Sequence, residues 1–307
     1  MGYVEVHTER GEKDAKGTRI KFQYDSEGYE FRLVADVFYQ AVNAFCRPDS
    51  QVALEKLGLS CVNAREASDY QKSHPDYVWM RDKSKMKQYV QTFTNAIKDT
   101  PPAIVIDPDL QGVYATTSRY ANYKGNLEYL RTRSLFRINL PTDLVDGLKR
   151  AYAITPTNDV PYQSLRMLHI LTLWHELTHA FIMYLSGEQV RRTPPEVSVS
   201  WNEEQRATGV GESGDYMECT IWGGSIQIDR FPDPAETPST LITNDVIKGF
   251  NTNPYAYDPK LSIEATKNIS APATATAPIK KVTDSRNSED SRDRLIFWNV
   301  KFKPYAA

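Results

Sequence analysis

His175-Glu176-Leu177-Thr178-His179 has the residue types and spacing of a metal site that activates water. In a helix, residues four apart lie on one face, so both imidazoles can reach a single cation. Glu176 sits beside them, where a carboxylate can act as base toward a water that zinc acidifies. The whole chain holds five histidines, so chance seldom places two of them at this spacing around a Glu. The competing reading is a buried histidine pair satisfied by backbone or carboxylate groups.

Catalytic zinc takes three protein ligands and keeps a fourth position open. The remaining histidines are poor candidates for the third. His169 lies six residues before His175 and so faces another way, and His7 and His74 sit in irregular polar stretches. A carboxylate from a second buried helix is the better source, and residues 211–219 offer two. Glu212 falls at or before the start of that helix, where orphan N–H groups and the dipole favour an acid anyway. Glu218 lies inside it, among Met217, Cys219, Ile221 and Trp222. A carboxylate in so apolar a stretch needs a partner. Glu218 is therefore the preferred third ligand and Glu212 the alternative, with a structural salt bridge as the competing reading for either.

Elements must position these groups. Leu165 to Leu185 is apolar almost all round, with Pro161 suited to its first turn and Gly187 to its end. It is as long as a membrane span, but His169, His175, Glu176 and His179 make that placement costly. A buried helix of a soluble protein is expected instead. Phe31, Val34, Ala35, Phe38, Val42 and Phe45 recur at helical spacing, which predicts a helix over 28–46 ended by Pro48. A short helix over 51–57 should stop at Gly58, and a second amphipathic helix should span 80–98. Residues 103–106 and 135–140 read as strands, 143–152 as a short helix, and 107–132 as loop. Residues 1–23 look irregular apart from a short strand at 18–22. A second apolar helix is expected over 216–228, and the apolar end 294–302 should return as a strand or packed arm. Helices first, then a small sheet, then two buried helices predict an α+β fold that is mainly helical. The expected division is a helical region at 1–100, a catalytic core at 101–264 and a linker with C-terminal arm at 265–307.

His175-Glu176-Leu177-Thr178-His179-Ala180 resembles the H-E-L-T-H-A of thermolysin-like metallopeptidases, the gluzincins. A second block is similar to theirs: Glu212-Ser213-Gly214, three residues, then Glu218, with Gly223-Gly224 after it. The likeness covers about sixty residues. It implies a zincin-like active-site helix plus a second ligand-bearing helix, with His175, His179 and Glu218 as zinc ligands and Glu176 as general base. Three departures stand out. His179 and Glu218 are 39 positions apart, longer than the family's spacing, with 187–211 reading as an insertion. Trp222 occupies the place of the family's Asp that orients the first His, so another group must do that. No histidine follows His179 to steady an oxyanion; Tyr255 and Tyr257 are the downstream candidates, with Arg230 another.

The expected function is that of a zinc metallopeptidase, with Zn2+ as cofactor and a peptide laid along the strand at 135–140 by β-augmentation. A zinc hydrolase or biosynthetic enzyme acting on a small molecule, and a non-catalytic zinc-stabilised binding protein, are the alternatives. A net charge of −2 and a pI near 6.2 give no sign of a nucleic-acid or anionic-membrane partner. Three cysteines in no paired pattern suit a reducing interior, and the polar start of the chain lacks an apolar leader, so a cytoplasmic location is expected.

Overall fold

A computed structural model describes residues 4–13, 19–23, 25–26, 28–67, 82–119, 132–154, 160–186, 193–197, 211–229, 240–241 and 299–304. The fold is α+β. Five strands make a mixed sheet: β1 (Val6–Lys13), β2 (Arg19–Gln23), β3 (Ala103–Asp107), β4 (Thr116–Arg119) and β5 (Phe136–Pro141). Their order is β2-β1-β3-β5-β4. The β1–β3 and β3–β5 pairs are parallel, whereas the two outer pairs are antiparallel. The inner strand β3 is buried along Ala103 to Ile106, as its unbroken apolar run requires.

Helices pack against this sheet. They are α1 (Tyr29–Phe45), α2 (Pro48–Ala67), α3 (Met86–Asp99), a single turn α4 (Thr132–Leu135), α5 (Thr142–Ile154), α6 (Val160–Leu185) and α7 (Ser213–Trp222). The periodic stripe of α1 is buried as expected, from Phe31 through Phe45. Pro48 does not merely end α1; it opens α2, where its missing N–H leaves no bond unmade. Nor does Gly58 stop α2. A Cβ there would lie 3.1 Å from Met86 Cε and 3.3 Å from Leu185 Cδ1, so the glycine allows α2 to approach α3 and α6 closely.

Other expectations change for equally local reasons. The predicted loop at 107–132 contains β4, and the predicted irregular start contains β1. The first is short and polar, the second carries alternating charges, and neither shows an apolar rhythm. The second apolar helix ends at Trp222, because Gly223 takes a left-handed conformation (φ 72°) that caps it. Strand β6 (Gly224–Asp229) follows. It pairs with β8 (Asn299–Pro304), which also pairs with β7 (Thr240–Leu241), so the apolar end does return as a strand.

One apolar core runs from Val4 to Trp222, with no break in packing at residue 100. At its centre the Phe93 ring meets Phe45, Phe136, Phe181 and Tyr184, and Trp174 lies over Trp222 with ring centroids 4.6 Å apart. Cys46, Cys61 and Cys219 are all free thiols. Among the described residues, no helix is long and apolar enough to cross a membrane.

His169 is part of this core. It is fully buried, and its Nδ1 donates to the Leu165 carbonyl over 2.7 Å. Burial pushes its pKa down to about 4, against the opposing pull of the Leu165 and Leu144 backbones. The imidazole is therefore neutral in the fold, whereas in the unfolded chain it charges near pH 6.5. Between those two values the unfolded chain binds a proton that the folded chain refuses, so stability falls as pH falls. The expected loss is about 2 kcal/mol between about pH 7 and about pH 4.5. Urea titrations at the two pH values, compared with His169→Asn, isolate this contribution. An equal pH slope in both proteins would remove it.

Candidate metal centre

Helix α6 is apolar on nearly every face, so it can be surrounded by protein and still present one polar patch. That patch is His175, Glu176 and His179. The imidazoles lie one turn apart, with ring centroids separated by 5.1 Å. They form the floor of a cavity of about 530 Å3. Gly112 to Thr117, in the approach to β4 and its first residues, form one wall. Glu212, Asp215 and Glu218 of the α7 segment form the other, and Leu168, Leu171 and Met183 extend the floor along α6.

The two candidate third ligands occupy different sides of the histidines. Glu218 Oε1 lies 2.7 Å from Nδ1 of His175. Glu212 Oε1 lies 2.7 Å from Nε2 of His179 and 3.4 Å from Nε2 of His175. Ligand atoms of His175, His179 and Glu212 all fall within 4.8 Å of one another. A second grouping, His175 with Asp215 and Glu218, meets the same distance but draws on only one imidazole of the motif. Exposure separates the two acids as well. The side chains of His175, His179 and Glu212 are 21%, 22% and 21% exposed, whereas Glu218 is 7% exposed. Glu212 thus meets both histidines at Nε2 and is the more open of the two acids, whereas Glu218 meets His175 at Nδ1 and is nearly enclosed. Through that contact Glu218 can orient His175, a task for which Trp222 left no candidate in the sequence; the Trp222 ring packs on Trp174 instead.

Local folding explains this division. Glu212 is the N-cap of α7, with an extended backbone (φ −127°, ψ 100°) and a side chain that accepts from the Gly214 N–H over 3.0 Å. The segment 193–197 returns to hold it: Glu212 N–H donates to the Val197 carbonyl and Gly211 N–H to the Thr193 carbonyl. Residues 193–197, within the stretch that reads as an insertion, therefore support the site. Ser213, the first residue of α7, places its Oγ 2.9 Å from Nδ1 of His179. Gly214 must be glycine, since any Cβ there would collide with the His175 ring.

The fit to a cation is good. Each imidazole has its Nδ1 engaged, which leaves both Nε2 atoms toward the cavity beside the Glu212 carboxylate. Without a cation these groups hold one another. Burial disfavours charge on His175 and His179, but the facing carboxylates outweigh it and raise both pKa values, His175 well above its ordinary range. Burial works against the Glu212 anion too, yet the two histidines hold its pKa well below the carboxylate range. An entering cation must displace those protons.

Glu176 is 6% exposed and borders the cavity. Its Oε2 accepts from the Thr117 hydroxyl at 2.7 Å, and its backbone carbonyl accepts from the same hydroxyl at 2.9 Å. Neither Thr117 nor Ser213 was marked as functional by the sequence. Ser213 had a signal in its place beside Glu212, but Thr117 had none. The strand proposed to carry substrate, 135–140, is not an edge: β5 is covered by β3 on one side and β4 on the other, and among the described residues β4 is the edge strand beside the cavity. His7 is in β1 beside Glu5, remote from the motif. Tyr255, Tyr257, Arg230 and His74 lie outside the described residues. No family model, no curated protein and no solved structure matches the chain.

Proposed function

We propose that the chain is a zinc-dependent hydrolase of peptide bonds, with His175, His179 and Glu212 holding the ion and Glu176 as general base. The observation that carries this reading is the meeting of two Nε2 atoms and one carboxylate oxygen on a cavity floor, with a further carboxylate alongside. Two imidazoles and a Glu are a catalytic zinc set. When bound, zinc supplies Lewis acidity, polarising a carbonyl and drawing the pKa of water toward neutrality.

The chain's own groups do the rest. Glu218 accepts Nδ1–H of His175, and Ser213 accepts Nδ1–H of His179, which fixes the tautomers that offer both Nε2 lone pairs. Thr117 holds Oε2 of Glu176, so Oε1 is the atom that takes the proton from water. The same oxygen later gives that proton to the departing amine nitrogen. A peptide is the favoured substrate because Thr116 and Thr117 line the cavity from an edge strand, whose outer N–H and C=O groups can pair with an extended chain.

The test is metal analysis with hydrolysis of a diverse peptide library. One zinc per chain is expected, with cleavage abolished by a chelator and restored by added zinc. A zinc-loaded chain that cleaves no peptide but hydrolyses small amides or esters would overturn the choice of substrate. A chain that takes up no zinc would overturn the whole reading.

A further inference from the structure

We infer that Thr117 is a positioning residue for Glu176, tying the edge strand β4 to the base on α6; this rests on the hydrolase reading above. Among the described residues strand β4 pairs with β5 alone, with Thr117 opposite Ile138. Ile138 is fully buried, and the Thr117 side chain, on the same face as its cross-strand partner, reaches α6. Its hydroxyl reaches Glu176 twice, at Oε2 (2.7 Å) and at the backbone carbonyl (2.9 Å). On the opposite face of β4, Asn139 donates to Thr116 Oγ1 and Ser118 Oγ at 3.1 Å each, so the strand is clamped from both sides.

A Glu side chain has three rotatable bonds, and a base that wanders by one ångström loses much of its advantage. A charge-assisted O–H···O− bond is short and strong enough to hold one rotamer. The hydroxyl's single proton is shared between Oε2, the nearer acceptor, and the Glu176 carbonyl, so the carboxylate is held relative to α6 and to β4 together. Substrate seated on β4 is then in fixed register with the base. The bond also commits one oxygen, leaving a single atom for proton transfer.

Thr117→Val keeps the β-branched shape that suits a strand and removes only the hydroxyl. The expected result is a kcat lower by about tenfold or more, with KM changed less than about threefold, because only the barrier step depends on the base. Zinc content should stay at that of the parent protein, and Thr117→Ser should restore most of kcat. A readout independent of turnover is the crystal structure of the metal-free proteins: the Glu176 carboxylate should hold one orientation in the parent and in Thr117→Ser, and lose it in Thr117→Val. Should the valine variant fail to fold, Thr117→Ala takes its place with the same readouts. Unchanged kcat in Thr117→Val, a loss that serine does not rescue, or a Glu176 carboxylate equally ordered without the hydroxyl each overturn the proposal. A parent protein without hydrolytic activity overturns the hydrolase reading instead, and the Glu176 orientation then decides the positioning claim alone.

Discussion

Glu176→Gln should leave the metal centre filled and remove turnover. The substitution keeps the size and hydrogen-bonding shape of the side chain, so the Thr117 hydroxyl can still donate to the amide oxygen in place of Oε2. Burial of position 176 does not oppose the change, since a neutral amide is easier to enclose than a carboxylate. What disappears is the capacity to take a proton. Loss of a general base lowers kcat by about 10²–10⁴-fold. Zinc affinity should move little, because the three groups whose ligand atoms converge are His175, His179 and Glu212. Parallel measurement of kcat and of zinc bound per chain checks both halves. Activity above about a tenth of the parent value would assign the base elsewhere. The double variant Glu176→Gln/Thr117→Val adds a second check: with the base gone, losing its support should lower kcat no further, because the two residues act as one unit.

Much of the site was readable in the sequence because its logic is helical. The spacing of His175 and His179 needs only the 3.6-residue period to place both rings on one side of α6. The stripe of α1 was readable for the same reason. The approach of Glu212 to both rings was not. Counting along a helix treats Glu212 and Glu218 as residues of one rod, but Glu212 is the N-cap and its backbone is extended. Its carboxylate reaches back over the first turn of α7, and no periodicity reports that. Apolar neighbours signalled that Glu218 needs a buried partner, and its Oε1 meets Nδ1 of His175. Strand β4 was hidden because Thr116-Thr117-Ser118-Arg119 has no apolar alternation. It is an edge strand, and its pairing partner supplies the order that its own composition does not. Thr117 therefore matters only through a long-range contact of 59 positions. Gly58 and Gly223 show the same limit from the other side. One is buried within a helix for close packing and the other ends a helix, yet the residue type is identical.

The assignment of Glu212 over Glu218 has a measurable consequence. Removing a group that only orients a ligand weakens metal binding by about 10–100-fold. Glu218→Ala should fall in that range, because His175 and His179 keep their Nε2 atoms and Glu212 remains between them. Glu212→Ala removes the one carboxylate that, among the described residues, faces both Nε2 atoms, so its loss should exceed the ~100-fold at which orienting groups act. Alanine at position 212 also deletes the N-cap bond to Gly214, at about 1 kcal/mol of helix stability. Glu212→Gln separates the two effects: its amide oxygen keeps the cap while the anionic donor is gone. Chelator competition on the three variants gives the order of affinities, and the reverse order would return Glu218 to the metal. Metal-free melting provides an independent line. Glu218→Ala strands the Nδ1–H of His175 in a nearly enclosed position, which costs about 1–3 kcal/mol. Glu212→Gln removes the anion that both histidines meet in the metal-free protein, so it should lose stability in that assay too, and the metal assay is the one that ranks the two acids. Only a division of labour between a carboxylate that meets both Nε2 atoms and one that supports His175 at Nδ1 gives that order of affinities.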